Sequence, residues 1–194
     1  VTPPIGYNHA RFFLIPKKAG GLIGDTRGIS VSNGDNRIVA TGIVRAITPA
    51  LQHCIHQDQK GFVPGRIGIE HAHKLTNSFY ASLSRKQQRY VLLLDTRRAF
   101  DTVSHAFIHA CLAAMGFAGW LCRAVAGLLH DVVVIPVLAE MTKHRIRIER
   151  GVKQGCPLSP LLFVICFDIL LHQLDDIQNM NKYAYADDLA LELR

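Results

Sequence analysis

Two short apolar stretches in this chain each run out onto carboxylates, and that feature limits the possible fold more than any other. Tyr90-Val91-Leu92-Leu93-Leu94 stops at Asp95, while Lys182 to Ala186 and Leu189 to Leu193 flank Asp187-Asp188. An unbroken apolar run of this length predicts a strand buried on both faces. The second pair predicts a β-hairpin around a tight turn, with both carboxylates at its tip. Taken singly, each Asp suits an ordinary role as a strand-end cap or turn residue. Taken together, two buried segments deliver carboxylates to an edge, and neighbouring anions repel unless a cation or proton intervenes.

The rest of the chain reads as alternating strands and helices. Arg11 to Pro16 and Thr26 to Val31 predict a basic hairpin around the turn Lys17-Lys18-Ala19-Gly20-Gly21. From Asn36 to Gln57 the apolar residues recur at helical spacing, and Pro49 is expected to bend or split that helix. A Gly/Pro loop, Gly61 to Arg66, precedes a helix from Ile69 to about Ser84. Thr102 to Gly116 and Ala118 to Leu129 suit two helices, Val132 to Leu138 and His144 to Glu149 two strands, and Pro157 to Leu174 a further helix. Pro157 and Ser159 both suit the opening of that helix.

With 49% apolar and 19% charged residues the chain is globular rather than disordered. Its 22 Lys and Arg against 15 Asp and Glu give a formal charge of +7, which favours a polyanionic partner such as nucleic acid and equally fits a solvated basic surface. The five cysteines form no CxxC pair, and several lie in apolar runs, which points to a reducing compartment. The longest apolar stretch, Leu161 to Leu171, is broken by Asp168 and too short to span a bilayer. The opening Val1-Thr2-Pro3-Pro4 has neither an initiator Met nor a signal-peptide pattern, so it reads as a cut or processed end within a longer protein. His53, His56, His71 and His73 lack the spacing of a structural zinc site and read as surface or packed histidines. No Walker loop, GxGxxG or Ser-His-Asp arrangement occurs.

Six blocks, in order, carry a family resemblance. Tyr185-Ala186-Asp187-Asp188 resembles the YxDD signature of reverse transcriptases, and Leu94 to Val103 resembles their "D..KAFD.V" block. Gly151 to Phe163, GVKQGCPLSPLLF, is similar to the corresponding block of non-LTR retrotransposon and group II intron enzymes. Phe13 to Lys17, Arg27 to Ser30 and Gln59 to Arg66 resemble the fingers blocks. The resemblance implies an α+β, right-hand polymerase fingers and palm, with an antiparallel palm sheet and helices packed on one face. Residues of about 1–85 and 106–152 would form the fingers and 86–105 and 153–194 the palm, with the thumb lying beyond the last residue.

It further implies an RNA-directed DNA polymerase acting on an RNA template, a DNA primer and deoxynucleoside triphosphates with two Mg²⁺ ions, Mn²⁺ being an alternative. Asp95, Asp187 and Asp188 would be the metal ligands. Lys17 and Arg27 would grip the triphosphate, Phe100 would exclude a ribose 2′-hydroxyl, and Gln154 would lie beside the incoming nucleotide. Arg66 is expected to contact template backbone or to form a structural salt bridge, and Asp101 to be structural. An intracellular, nuclear setting follows from the same resemblance. Arg98 stands where the family commonly has Lys, and Gly28 where it commonly has Pro, which is expected to loosen the fingers strand. A retroelement-derived fragment, catalytically idle and serving as a structural or binding subunit, is the other reading of the same residues.

Overall fold

The computed structural model describes residues 2–20, 25–138 and 144–193; Gly21 of the expected first turn lies outside them. Strands β1 (His9–Pro16) and β2 (Thr26–Ser32) form the basic hairpin at its expected place. β4 (Val133–Pro136) joins β1 in parallel, and β5 (Ile146–Arg147) adds to β4, so the first sheet runs β2-β1-β4-β5. Gly28 does not loosen this sheet: a Cβ there would lie 2.2 Å from the Phe12 ring, so the glycine makes room for a cross-strand aromatic.

Helix α1 (Gly34–Cys54) runs unbroken through Pro49. The proline sits on the exposed side, while Ala40, Ile43, Ile47 and Leu51 bury the opposite stripe, so core packing outweighs the one backbone hydrogen bond that proline removes. α2 (Ile69–Arg85) follows as expected and ends on Lys86 in a left-handed conformation, whose N–H bonds the Leu83 carbonyl. α3 (Ala99–Thr102), α4 (His105–Ala114) and α5 (Gly119–Leu129) come next. α6 (Ser159–Gln173) is apolar nearly all round, because it packs on α1, α4 and α5 in the main core and also reaches the second sheet. Ser159 is its first helical residue and makes no capping bond, with Pro160 in the first turn.

The second sheet has the order β3-β7-β6, from β3 (Tyr90–Leu94), β6 (Met180–Tyr185) and β7 (Asp188–Leu193), antiparallel throughout. Residues directly opposite share a face. Ala184, Leu189 and Leu191 therefore meet Phe167 and Leu171 of α6 on one face. Tyr183 and Glu192 face the other way, where His71 and Ser78 of α2 reach them. β3 is an edge strand exposed on both faces, not buried on both; Leu93 is 76% exposed. Among the described residues no helix is long and apolar enough to cross a membrane.

Candidate active site

The last paired residue of β3 is Leu94, opposite Leu189. One step further along the same antiparallel register sets Asp95 across from Asp188, on the same face. Asp188 is the first rung of β7, paired with Tyr185, and does not sit at the hairpin tip as expected. The tip is the two-residue turn Ala186-Asp187, with Asp187 half-buried. All three residues thus lie at one end of one sheet. Asp95 and Asp188 also line a groove of about 740 Å³ between the start of α2 and the sheet, together with Gly68, Ile69, Tyr185 and Leu189. Among the described residues no Lys, Arg or His lies within ion-pair distance of the three. Three carboxylate residues at one sheet end, without a cation in ion-pair distance, suit a divalent cation by the chemistry of their donors.

Ala186 has φ of +55°, a left-handed conformation that a hairpin turn of this length requires and that an alanine adopts with strain. The segment Asp58–Lys60 is laid along β6: Ala184 N–H donates to the Asp58 carbonyl at 3.1 Å, and Lys60 N–H to the Ala184 carbonyl at 2.9 Å. Gln59, fully buried, hydrogen-bonds the turn itself. The pattern of neighbouring residues carries no signal for this role, since it rests on a contact across 127 positions of sequence.

Phe100 lies on α3 with its ring stacked on Phe163 (centroids 4.4 Å apart) and the Phe62 ring edge-on at 6.2 Å. The loop Gly151–Cys156 fixes its neighbourhood: Val152 N–H donates to the Phe100 carbonyl at 2.8 Å, and Ser30 N–H of β2 donates to the Gln154 carbonyl at 2.7 Å. Gly155, at φ +114°, allows that approach, since a Cβ there would stand 2.4 Å from the Ser30 oxygen. Lys153 of the same loop is buried with no hydrogen-bond partner among the described residues, and burial holds its ammonium pKa below the usual value. One loop thus both bonds Phe100 and carries Gln154. Lys17 and Arg27 are exposed at the far end of the β1–β2 hairpin, on the other sheet from the carboxylates.

Within the chain Arg66 bonds backbone carbonyls and forms no ion pair among the described residues. Its guanidinium donates to the carbonyls of Gln52, Ile55, His56 and Gln59 at 2.5–2.9 Å, closing the C-terminal end of α1. These four bonds use both terminal nitrogens of the guanidinium. Asp101 is exposed, and its backbone abuts Gly151, where a Cβ would come within 2.6 Å.

A second group of possible metal ligands, His56, His172 and Asp175, has its ligand atoms within 4.8 Å of one another. Their separation in sequence hides the grouping. The buried Lys182 ammonium is hydrogen-bonded to Asp175 and lies 3.5 Å from His56 Nε2. His56 Nδ1 accepts the Asp58 N–H, so Nε2 carries the proton and donates to Asp175. A lysine therefore already supplies the positive charge that a metal would bring. Hydrogen bonding from Lys182, only partly opposed by desolvation, holds the Asp175 carboxyl below its usual range.

The family described as "Reverse transcriptase (RNA-dependent DNA polymerase)" matches residues 15–193. The "Retrovirus-related Pol polyprotein from type-1 retrotransposable element R2" of Popillia japonica is 33% identical over 202 residues, and the "Transposon TX1 uncharacterized 149 kDa protein" of Xenopus laevis 27% identical over 199. Each alignment covers 97% of this chain but only 28% and 15% of those relatives' lengths. Among solved structures, apo telomerase from Candida tropicalis truncated from its C-terminal domain superposes with a TM-score of 0.65 at 14% identity, covering 100% of this chain and 45% of that one. Candida tropicalis telomerase in complex with a TWJ fragment of telomeric RNA gives a TM-score of 0.71 at 12% identity, covering 100% and 37%. At such identities the likeness concerns fold: the α+β right-hand polymerase architecture.

Proposed function

Because this chain belongs to the reverse transcriptase (RNA-dependent DNA polymerase) family, we propose that it carries the nucleotidyl-transfer site of an RNA-directed DNA polymerase of a retrotransposon-like protein. The observation that supports the proposal is that Asp95, Asp187 and Asp188 all lie at one end of the second sheet with no Lys, Arg or His within ion-pair distance among the described residues. These three would hold two Mg²⁺ ions, or Mn²⁺. When bound, such ions activate a primer 3′-hydroxyl and stabilise charge on the transferring phosphate. The second sheet then belongs to the palm, and the β1–β2 hairpin to the fingers. Lys17, as a point charge, and Arg27, as a forked donor, would bind the triphosphate. Phe100 would occupy the space beside C2′ of the sugar, its ring fixed by Phe163 and Phe62. Gln154 would border the nucleotide while its backbone ties the motif loop to β2. Template RNA, primer DNA and deoxynucleoside triphosphates are the matching substrates.

An idle scaffold would have no use for a strained Ala186 held between two unneutralised carboxylates and a buried amide. The test is extension of a DNA primer on an RNA template by a protein containing this chain. Asp95→Asn and Asp187→Asn are each expected to abolish extension, because each removes charge from a site meant for two dications. Extension that persists in Asp187→Asn would overturn the assignment.

A further inference from the structure

We propose that Gln59 is a positioning residue that locks the Ala186-Asp187 turn and thereby sets the cation affinity of the carboxylate site; the inference rests on the metal-site reading above. The Gln59 carboxamide is fully buried and every bond it makes fixes this turn or its own strap. Its Nε2–H donates to the Ala186 carbonyl at 3.1 Å, and its Oε1 accepts the Ala186 N–H at 2.8 Å. The same oxygen accepts the Gly61 N–H at 2.8 Å. Both backbone groups of the one left-handed turn residue are therefore held by a single side chain from a distant loop.

The loop is fitted to the turn at close range. A Cβ on Gly61 would stand 2.2 Å from the Ala186 nitrogen, so no larger residue allows this approach. Most hairpin turns of this length place Gly, Asn or Asp at the positive-φ position, where the conformation costs little. Here alanine occupies it, and the Gln59 bonds supply what the turn residue lacks. Asp187 and Asp188 follow immediately, so their carboxylates point where the locked backbone directs them. The strap continues into Phe62, whose ring abuts Phe100, so one segment supports both the carboxylate turn and the residue assigned to sugar selection.

Gln59→Met keeps the length of the side chain and removes all three hydrogen bonds. Mn²⁺ alone is the probe, titrated into the chain and followed by electron paramagnetic resonance. Loss of an outer support of metal ligands typically weakens binding about 10–100-fold, and a loss of about 10-fold is expected for Gln59→Met. Adding Ala186→Gly to Gln59→Met should restore most of that affinity, because glycine enters the left-handed region unaided. A generally destabilised chain would not be rescued at that position. Asp187→Asn is the control: unchanged Mn²⁺ binding there overturns the metal-site reading and this proposal with it. Weakened binding in Asp187→Asn with wild-type affinity in Gln59→Met overturns the lock alone. Should Gln59→Met not fold, amide exchange in the unaltered chain decides: the Ala186 N–H is expected to exchange as slowly as core helix amides, and fast exchange overturns the lock.

Discussion

The two segments that bring carboxylates to the site are held in very different ways. The β6–β7 hairpin is gripped from three sides: α6 packs beneath Ala184, Leu189 and Leu191, the Asp58–Lys60 strap runs along β6, and Glu192 anchors α2 from the opposite face. Glu192 is 1% exposed and receives hydrogen bonds from Ser78, from Arg89 at 2.7 Å, and from Asn181 and Tyr183 at 2.8 Å. β3, which leads into Asp95, is held by its ladder with β7, and all five of its residues are exposed. One half of the site is therefore built into a packed and hydrogen-bonded frame, and the other half is carried on a strand with few side-chain neighbours. Preorganisation is strongest in the hairpin, and Asp95 is positioned by the register of β3 and by the packed α3 segment that follows it.

The contrast is broken most severely by removing the hairpin's anchor. Glu192→Ala leaves Arg89 buried without its partner and is expected to cost about 3–5 kcal/mol, read as a fall in the urea unfolding midpoint. A loss below ~1 kcal/mol would mean that α2 and the sheet are not fastened there.

Acid should act on the same anchor in a smaller and graded way. Burial by itself would raise the Glu192 pKa, but the bonds from Ser78, Asn181, Tyr183 and Arg89 outweigh it and pull the pKa from an ordinary 4.5 down to about 2. A carboxyl depressed on folding stabilises the native state fully above its unfolded pKa, and that contribution is lost as pH falls through the folded value. The stability of the chain should therefore decline between about pH 4.5 and pH 2, with a slope from this group approaching ~1.4 kcal/mol per pH unit. Glu192→Gln should flatten that part of the pH profile in urea titrations, and an unchanged profile would remove Glu192 as its source.

The smallest effect belongs to β3. Leu93→Thr introduces a β-branched strand former at a highly exposed position, and it should change stability by no more than ~0.5 kcal/mol. Thermal or urea unfolding checks this, and a cost of ~2 kcal/mol would show that β3 is packed in solution.

Much of this architecture was legible in the residues. The α2 and α6 patterns, the β1–β2 hairpin and the β6–β7 hairpin all follow from local periodicity and turn chemistry. β3 was placed correctly in sequence and wrongly in depth, because a run such as Tyr90–Leu94 reads as core whether or not anything covers it. Pro49 carries a strong local signal, and the stripe of Ile43, Ile47 and Leu51 overrode it from the far side of the helix. Arg66 offered charge as its signal, yet its use is to satisfy backbone carbonyls, which any sequence possesses. Gln59, Lys182 and the His56–His172–Asp175 group acquire their surroundings only through contacts between distant segments. The family resemblance supplied an ordered list of residues, and the coordinates supply the register that brings Asp95 beside Asp188.

The outer edge of β3 bears on how this chain behaves at high concentration. Among the described residues no strand pairs with that edge, and an apolar strand with such a row of N–H and C=O groups, lacking the charges, proline or bulge that usually blunt edges, is a template for adding another strand. Tyr90 to Leu94 also combine high β-propensity with no charge, the composition of aggregation-prone segments. Expression yield and colloidal behaviour should consequently respond to a single lysine on this strand far more than folding stability does.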